Sequence, residues 1–145
     1  MRRKHTVFLA LGTNLGDKNL NLLTAIARIA ERIGIFSAIS SVYETEPWGF
    51  ESAHSFFNMA VKIETDLAPL DLLKVTQDIE KEMGRTIKSR HGLSAPDYQD
   101  RIIDIDIILY DDLVYESEEL TLPHPFYKER SFVMEPLKEI TSGIV

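Results

Sequence analysis

The chain contains no cysteine in its 145 residues. That excludes disulfides and thiolate metal sites. No apolar run approaches the roughly 18 residues of a membrane-spanning helix. The basic start, Met1 to His5, is followed by an apolar run that meets Gly12 and Asn14. Such a run, from Val7 to Leu11, is too short for the core of a signal peptide. Positive charge is also in deficit: 16 Lys and Arg face 23 Asp and Glu, a net charge of −7. A protein that coats nucleic acid would carry the opposite excess. A small nucleotide is not excluded, because it needs only local cations and bound metal ions bring their own charge. There is no repeat, linker or low-complexity stretch. The expectation is a single domain over residues 1–145, residing in the cytoplasm, with no nucleic-acid or membrane partner.

What is present reads as alternating elements. Residues 6–12 are apolar, short and closed by glycine, a buried strand. Residues 19–33 predict a helix with Leu23, Ile26, Ala27, Ala30 and Ile33 on its apolar face and Gly34 just past its end. Residues 36–45 alternate as a strand, 46–55 form a loop, and 57–65 alternate again. Ala68-Pro69 opens a second helix with the stripe Leu72, Val75, Ile79 and Met83, ended by Gly84. Residues 85–100 are polar and irregular, and 102–110 are a strong strand. Residues 113–115 and 120–122 suit a small hairpin, and the tail from Pro125 is partly helical. This order predicts an α+β, ferredoxin-like βαββαβ sandwich: an antiparallel sheet with helices on one face, plus the hairpin and helical tail. The fold alone does not name an activity.

The strand Arg101-Ile102-Ile103-Asp104-Ile105-Asp106-Ile107 carries the most chemistry. Alternation puts Asp104 and Asp106 on one face, with Cα atoms about 6.5 Å apart. Ile103, Ile105 and Ile107 turn to the other. Two adjacent carboxylates repel unless a cation lies between them. Mg²⁺ suits them, since it takes one or two carboxylates plus phosphate oxygens and water. A solvated acidic edge is an equally good reading of the pair alone. Arg85, Lys88, Arg90 and Arg101 flank the 85–100 loop, and arginine forks grip phosphates. His124 sits between prolines. Thr13-Asn14-Leu15-Gly16 is a tight strand-to-helix turn and only a weak phosphate signal. These features would also suit a non-catalytic module binding a metal or anion, or another phosphoryl-transfer enzyme.

Taken in order, the motifs resemble the 6-hydroxymethyl-7,8-dihydropterin pyrophosphokinase family of folate biosynthesis. They are Leu11-Gly12-Thr13-Asn14-Leu15-Gly16, Tyr43-Glu44-Thr45-Glu46-Pro47-Trp48-Gly49, Phe57-Asn58-Met59-Ala60-Val61, Gln77-Asp78-Ile79-Glu80 with Gly84-Arg85, the Arg101 to Asp106 strand, Leu122-Pro123-His124-Pro125 and Arg130-Ser131-Phe132. The resemblance implies transfer of pyrophosphate from ATP to the pterin hydroxymethyl group, with release of AMP and two Mg²⁺ ions. It implies Asp104 and Asp106 as metal ligands. Arg85 and Arg101 join them as catalytic residues that stabilise the phosphates. Gln77, Glu80, His124 and Arg130 would complete the ATP site. Thr45, Pro47, Trp48, Phe56, Asn58 and Phe132 would hold the pterin, with Phe56 and Phe132 as a sandwich. The chain departs from the family pattern at Glu46, Phe56, Ile87, Ile102 and Pro125, and its 85–100 loop lacks tryptophan.

Overall fold

Alternation along the first strand decides the layers. In β1 (His5–Thr13), Val7, Leu9 and Leu11 turn to one side and Phe8 to the other, and all four are buried. A strand between two apolar layers has this pattern. The computed structural model describes residues 5–45, 55–84 and 102–141. After β1 come α1 (Lys18–Arg32), β2 (Gly34–Ile39), β3 (Tyr43–Thr45), β4 (Phe56–Thr65), α2 (Pro69–Glu82), β5 (Asp104–Tyr110), β6 (Tyr115–Glu116), β7 (Thr121–Leu122) and α3 (Ser131–Thr141). The main sheet runs β2-β4-β1-β5 with antiparallel pairing, and β3 lies beside β4. β6 and β7 form the expected hairpin. With β2 and β3 taken as one broken strand, this is the ferredoxin-like βαββαβ sandwich.

The larger core lies under α1 and α2. Leu22, Ala25, Ile29, Leu72 and Ile79 pack there on Val7, Leu9, Leu11, Ile105 and Ile107. A second core lies on the opposite face, where Val133 and Leu137 of α3 meet Phe8, Ala60 and Ile108. The third helix therefore covers the face that the first two leave bare.

Three local expectations are corrected. The buried face of α1 is Leu22, Ala25 and Ile29, while Leu23 is 63% exposed. Two overlapping apolar stripes run along this helix, and its docking selects the one containing Leu22. Gly34 does follow the helix cap Ile33, but its reason is steric. A Cβ there would stand 2.0 Å from the Glu64 carbonyl oxygen. Finally, residues 36–45 are not one strand. Ile39 pairs with Val61 and Tyr43 with Asn58, so Ser40, Ser41 and Val42 stand opposite only Met59 and Ala60. The extra residue makes a bulge. The buried Ser40 patches it: its N–H donates to the Ala60 carbonyl and its Oγ accepts from the Ala60 N–H, both at 2.9 Å.

Candidate active site

Three strands meet at Gly12. Asn58 of β4 is its partner on one side and Asp104 of β5 its partner on the other. One step along β1, Ala10 lies between Ala60 and Asp106. The Asn58–Gly12–Asp104 row spans about 9.5 Å at ordinary strand spacing. Its centre carries no side chain, and the next row has alanine at its centre. The result is a shelf low in side-chain bulk, walled by an amide on one side and carboxylates on the other. It lies on the α3 face, away from α1 and α2. Space above this glycine is tight on the amide side: a Cβ on Gly12 would come 3.2 Å from Asn58 Oδ1, close enough to press on that side chain, and 4.0 Å from Phe56 Cδ1, an ordinary contact.

Asn58 is buried and oriented. Its Nδ2 donates to Thr45 Oγ1 at 2.8 Å and to the Tyr43 carbonyl at 3.5 Å. With the nitrogen committed to β3, the amide oxygen faces the space over Gly12. Thr45, Phe56 and Asn58 thus stand together at one end of the shelf.

Asp104 and Asp106 are both half-buried on that face, while Ile103, Ile105 and Ile107 are buried on the other. The alternation expected of this strand is present. Glu80 is tied to the backbone of β5. It is 6% exposed, and its Oε2 accepts the Ile105 N–H at 2.7 Å. Ile105 lies between the two aspartates on an edge strand, so Glu80 from α2 fixes the backbone that presents them. Gln77 is exposed on the same helix.

His124 lies along β5 as well. Its backbone N–H donates to the Ile108 carbonyl at 2.9 Å. Its ring Nδ1 lies 2.7 Å from the Pro125 carbonyl. A carbonyl only accepts, which assigns the proton to Nδ1 and leaves Nε2 as the acceptor of the neutral ring. Burial holds its pKa below the usual histidine value. The bond to Pro125 opposes this, Arg130 lowers the pKa further, and Asp104 raises it. The Arg130 guanidinium lies 5.9 Å from the centre of the Phe132 ring. Pro47, Trp48, Arg85 and Arg101 lie outside the described residues.

Several contacts at this end of the sheet are not legible in the sequence. Lys18 donates to Ser55 O at 3.2 Å and lies 4.5 Å over the Phe57 ring. Ser55 Oγ in turn donates to Glu44 Oε2 at 2.6 Å. Asn21 Nδ2 donates to Thr13 Oγ1 and Leu15 O, which makes the 13–16 turn a structural one. Gly12 had a signal: a glycine at a strand end marks close approach. The others had none, since each depends on a partner distant in sequence.

A sequence profile of the 7,8-dihydro-6-hydroxymethylpterin-pyrophosphokinase (HPPK) family matches residues 8–142. The chain belongs to the HPPK family. It is 47% identical over 137 residues to the 2-amino-4-hydroxy-6-hydroxymethyldihydropteridine pyrophosphokinase of Porphyromonas gingivalis, covering 92% of this chain and 89% of that protein. It is 42% identical to the protein of the same name from Bacillus subtilis, covering 94% and 78%. Membership makes it a pyrophosphoryl-transferring enzyme of folate biosynthesis. Among solved structures it is similar to an HPPK-DHPS in complex with substrates, with a TM-score of 0.72 at 16% identity. It is also similar to wild-type Plasmodium falciparum HPPK-DHPS with SDX-DHP, with a TM-score of 0.69 at 17% identity. It covers 95% and 96% of itself in these matches, but spans 40% and 41% of those longer chains. At such low identity these two support the fold. Among the described residues no helix is long and apolar enough to cross a membrane.

Proposed function

We propose that this protein transfers the pyrophosphate of ATP to the hydroxymethyl oxygen of 6-hydroxymethyl-7,8-dihydropterin and releases AMP. The row Asn58–Gly12–Asp104 carries the reading. A flat heterocycle with amide-like edges needs a fixed amide partner, a surface without side chains and an aromatic neighbour. Asn58, Gly12 and Phe56 supply these, with Thr45 orienting Asn58. Phe132 is the second ring of the sandwich. By the family resemblance, Pro47 and Trp48 would add to the same pocket. The hydroxymethyl arm then points across Gly12 towards Asp104.

The donor set fits Mg²⁺. Among the described residues no three His, Asp or Glu cluster as a closed metal cage. Mg²⁺ does not need one, because it binds through one or two carboxylates plus phosphates and water. Asp104 and Asp106 would hold two ions. The chemistry such ions would supply there is neutralisation of phosphate charge. The protein does the remaining work by position and charge. A loose phosphoryl transition state needs little covalent help. Asp104, next to the pterin shelf, would accept the hydroxymethyl proton. Arg85 and Arg101 would steady the phosphate chain. Gln77, His124 and Arg130 would bind ATP along the outer edge of β5, with Glu80 contributing through the strand it holds.

The test is product identity. Incubation with ATP, Mg²⁺ and reduced hydroxymethylpterin should yield AMP and a pyrophosphorylated pterin in equal amounts. ADP or free pyrophosphate with unchanged pterin would overturn the reading, as would Mg²⁺ binding without AMP formation.

A further inference from the structure

The bulge at 40–42 has a counterpart across the sheet. Ser41 stands where β2 has left β4 and β3 has not yet joined it. Its N–H donates instead to Glu139 Oε1 of α3 at 3.0 Å. Ser41 Oγ donates to Glu139 Oε2 at 2.9 Å, and Tyr43 Oη donates to Oε1 at 2.7 Å. One carboxylate therefore takes three donors from the start of β3. Hydrogen bonds to an ionised acceptor are the stronger kind. The strand so held is only three residues long, Tyr43–Thr45. Both acceptors that fix the Asn58 amide nitrogen, Tyr43 O and Thr45 Oγ1, belong to it.

We infer that Glu139 is a positioning residue for substrate recognition: through Ser41 and Tyr43 it sets β3, and through β3 it fixes which way the Asn58 amide faces over Gly12. Bulges beside functional sites re-aim a neighbouring side chain, and here the bulge is tied down by a helix from the other end of the chain. Glu139 is assigned to neither substrate, and its bonds go to Ser41 and Tyr43. Its effect falls on the pterin side alone, because Asp104 and Asp106 belong to β5 on the far side of β1. This inference rests on the assignment of Asn58 to the pterin.

The test compares Glu139→Ala, Glu139→Gln, Tyr43→Phe and wild type. Steady-state kinetics separate the two substrates, and amide NMR follows the Asn58 side chain and the Ser41 N–H. Glu139→Ala should raise the KM for pterin about tenfold, the worth of about one hydrogen bond, while the KM for ATP stays within about twofold. Tyr43→Phe, which keeps the ring, should show a smaller shift of the same kind. Glu139→Gln should recover part of the loss by accepting from Tyr43. In Glu139→Ala the Ser41 N–H and the Asn58 amide should exchange faster. An unchanged pterin KM, or equal rises in both KM values with a lost folded fraction, would overturn the inference. If wild type makes no pyrophosphorylated pterin, the proposed function fails instead, while the NMR comparison still reports whether Glu139 orients Asn58.

Discussion

Replacing Glu80 by alanine removes the acceptor of a buried backbone donor without touching the carboxylates that donor supports. Ile105 is 4% exposed and Glu80 is 6% exposed, so water cannot readily take the vacated position. Leaving a buried N–H unsatisfied costs about 1–3 kcal/mol, and a hydrogen bond to a charged group is worth about 1.5–3 kcal/mol. These two descriptions overlap, so their sum would count one bond twice. About 3 kcal/mol is the expected loss. For a chain near this size each kcal/mol moves the melting temperature by about 3–4 °C. Glu80→Ala should therefore melt about 10 °C below wild type. Glu80→Gln keeps an oxygen of similar reach and should lose about 1 kcal/mol, the charge-assisted part. Thermal unfolding measures the loss, and hydrogen exchange at the Ile105 amide localises it. At temperatures where the variant is folded, turnover should also fall, because Ile105 sets the spacing of Asp104 and Asp106. A melting temperature within about 2 °C of wild type, with unchanged exchange at Ile105, would refute the assignment of Glu80 to β5.

Gly12→Ala should raise the pterin KM by about 30-fold or more, the worth of about 2 kcal/mol, with little change in melting temperature. Its Cβ meets Asn58 Oδ1 at 3.2 Å, and kinetics with separate pterin and ATP titrations check the split. His124 should titrate below the ordinary histidine value, because burial and then Arg130 disfavour its charged form. The sign follows: the ring is neutral at pH 7, and stability from keeping it neutral is lost as pH falls below about 6.5 towards its folded pKa. Proton NMR of the ring, with Arg130→Ala moving the midpoint upwards, checks this. Glu82 accepts from Arg28 and Arg32 across α1 and α2, and both salt bridges are partly exposed. Glu82→Ala should thus lower stability only slightly, and by less at high salt, as thermal melts at two ionic strengths would show.

Much of this arrangement is legible in the residue order, for reasons that are local. Period-two alternation in Ile103 to Ile107 decides which face carries the aspartates, and neighbours in sequence suffice to see it. The α2 stripe through Leu72 and Ile79 and its glycine stop at Gly84 are equally local. The family resemblance groups Thr45, Phe56 and Asn58, and the fold brings these three side by side. What escapes is settled at long range. Leu22 and Leu23 are both apolar, so only docking on the sheet chooses between the stripes of α1. The break between β2 and β3 is bonded to Glu139, 98 positions from Ser41. Glu80 shows a subtler case. A carboxylate among site motifs reads as a ligand, and nothing in the residue order shows that it also holds the Ile105 amide, 25 positions away. Gly34 shows the reverse: its sequence position suits a helix stop, but the Glu64 carbonyl is what demands it.

The carboxylate pair is the part of the mechanism on which the rest depends. The decisive measurement is formation of AMP and pyrophosphorylated pterin as a function of Mg²⁺ concentration, by wild type, Asp104→Asn and Asp106→Asn, each confirmed folded by its melting curve. Asparagine keeps the size and one oxygen of each side chain and removes its charge. Wild type should require Mg²⁺ for any product. Each variant should lose turnover by about 100-fold or more and need higher Mg²⁺ for what remains. Turnover within about threefold of wild type in either variant, a difference of under 1 kcal/mol, or product formation without a divalent ion, would contradict the assignment of Asp104 and Asp106 as the metal-holding pair.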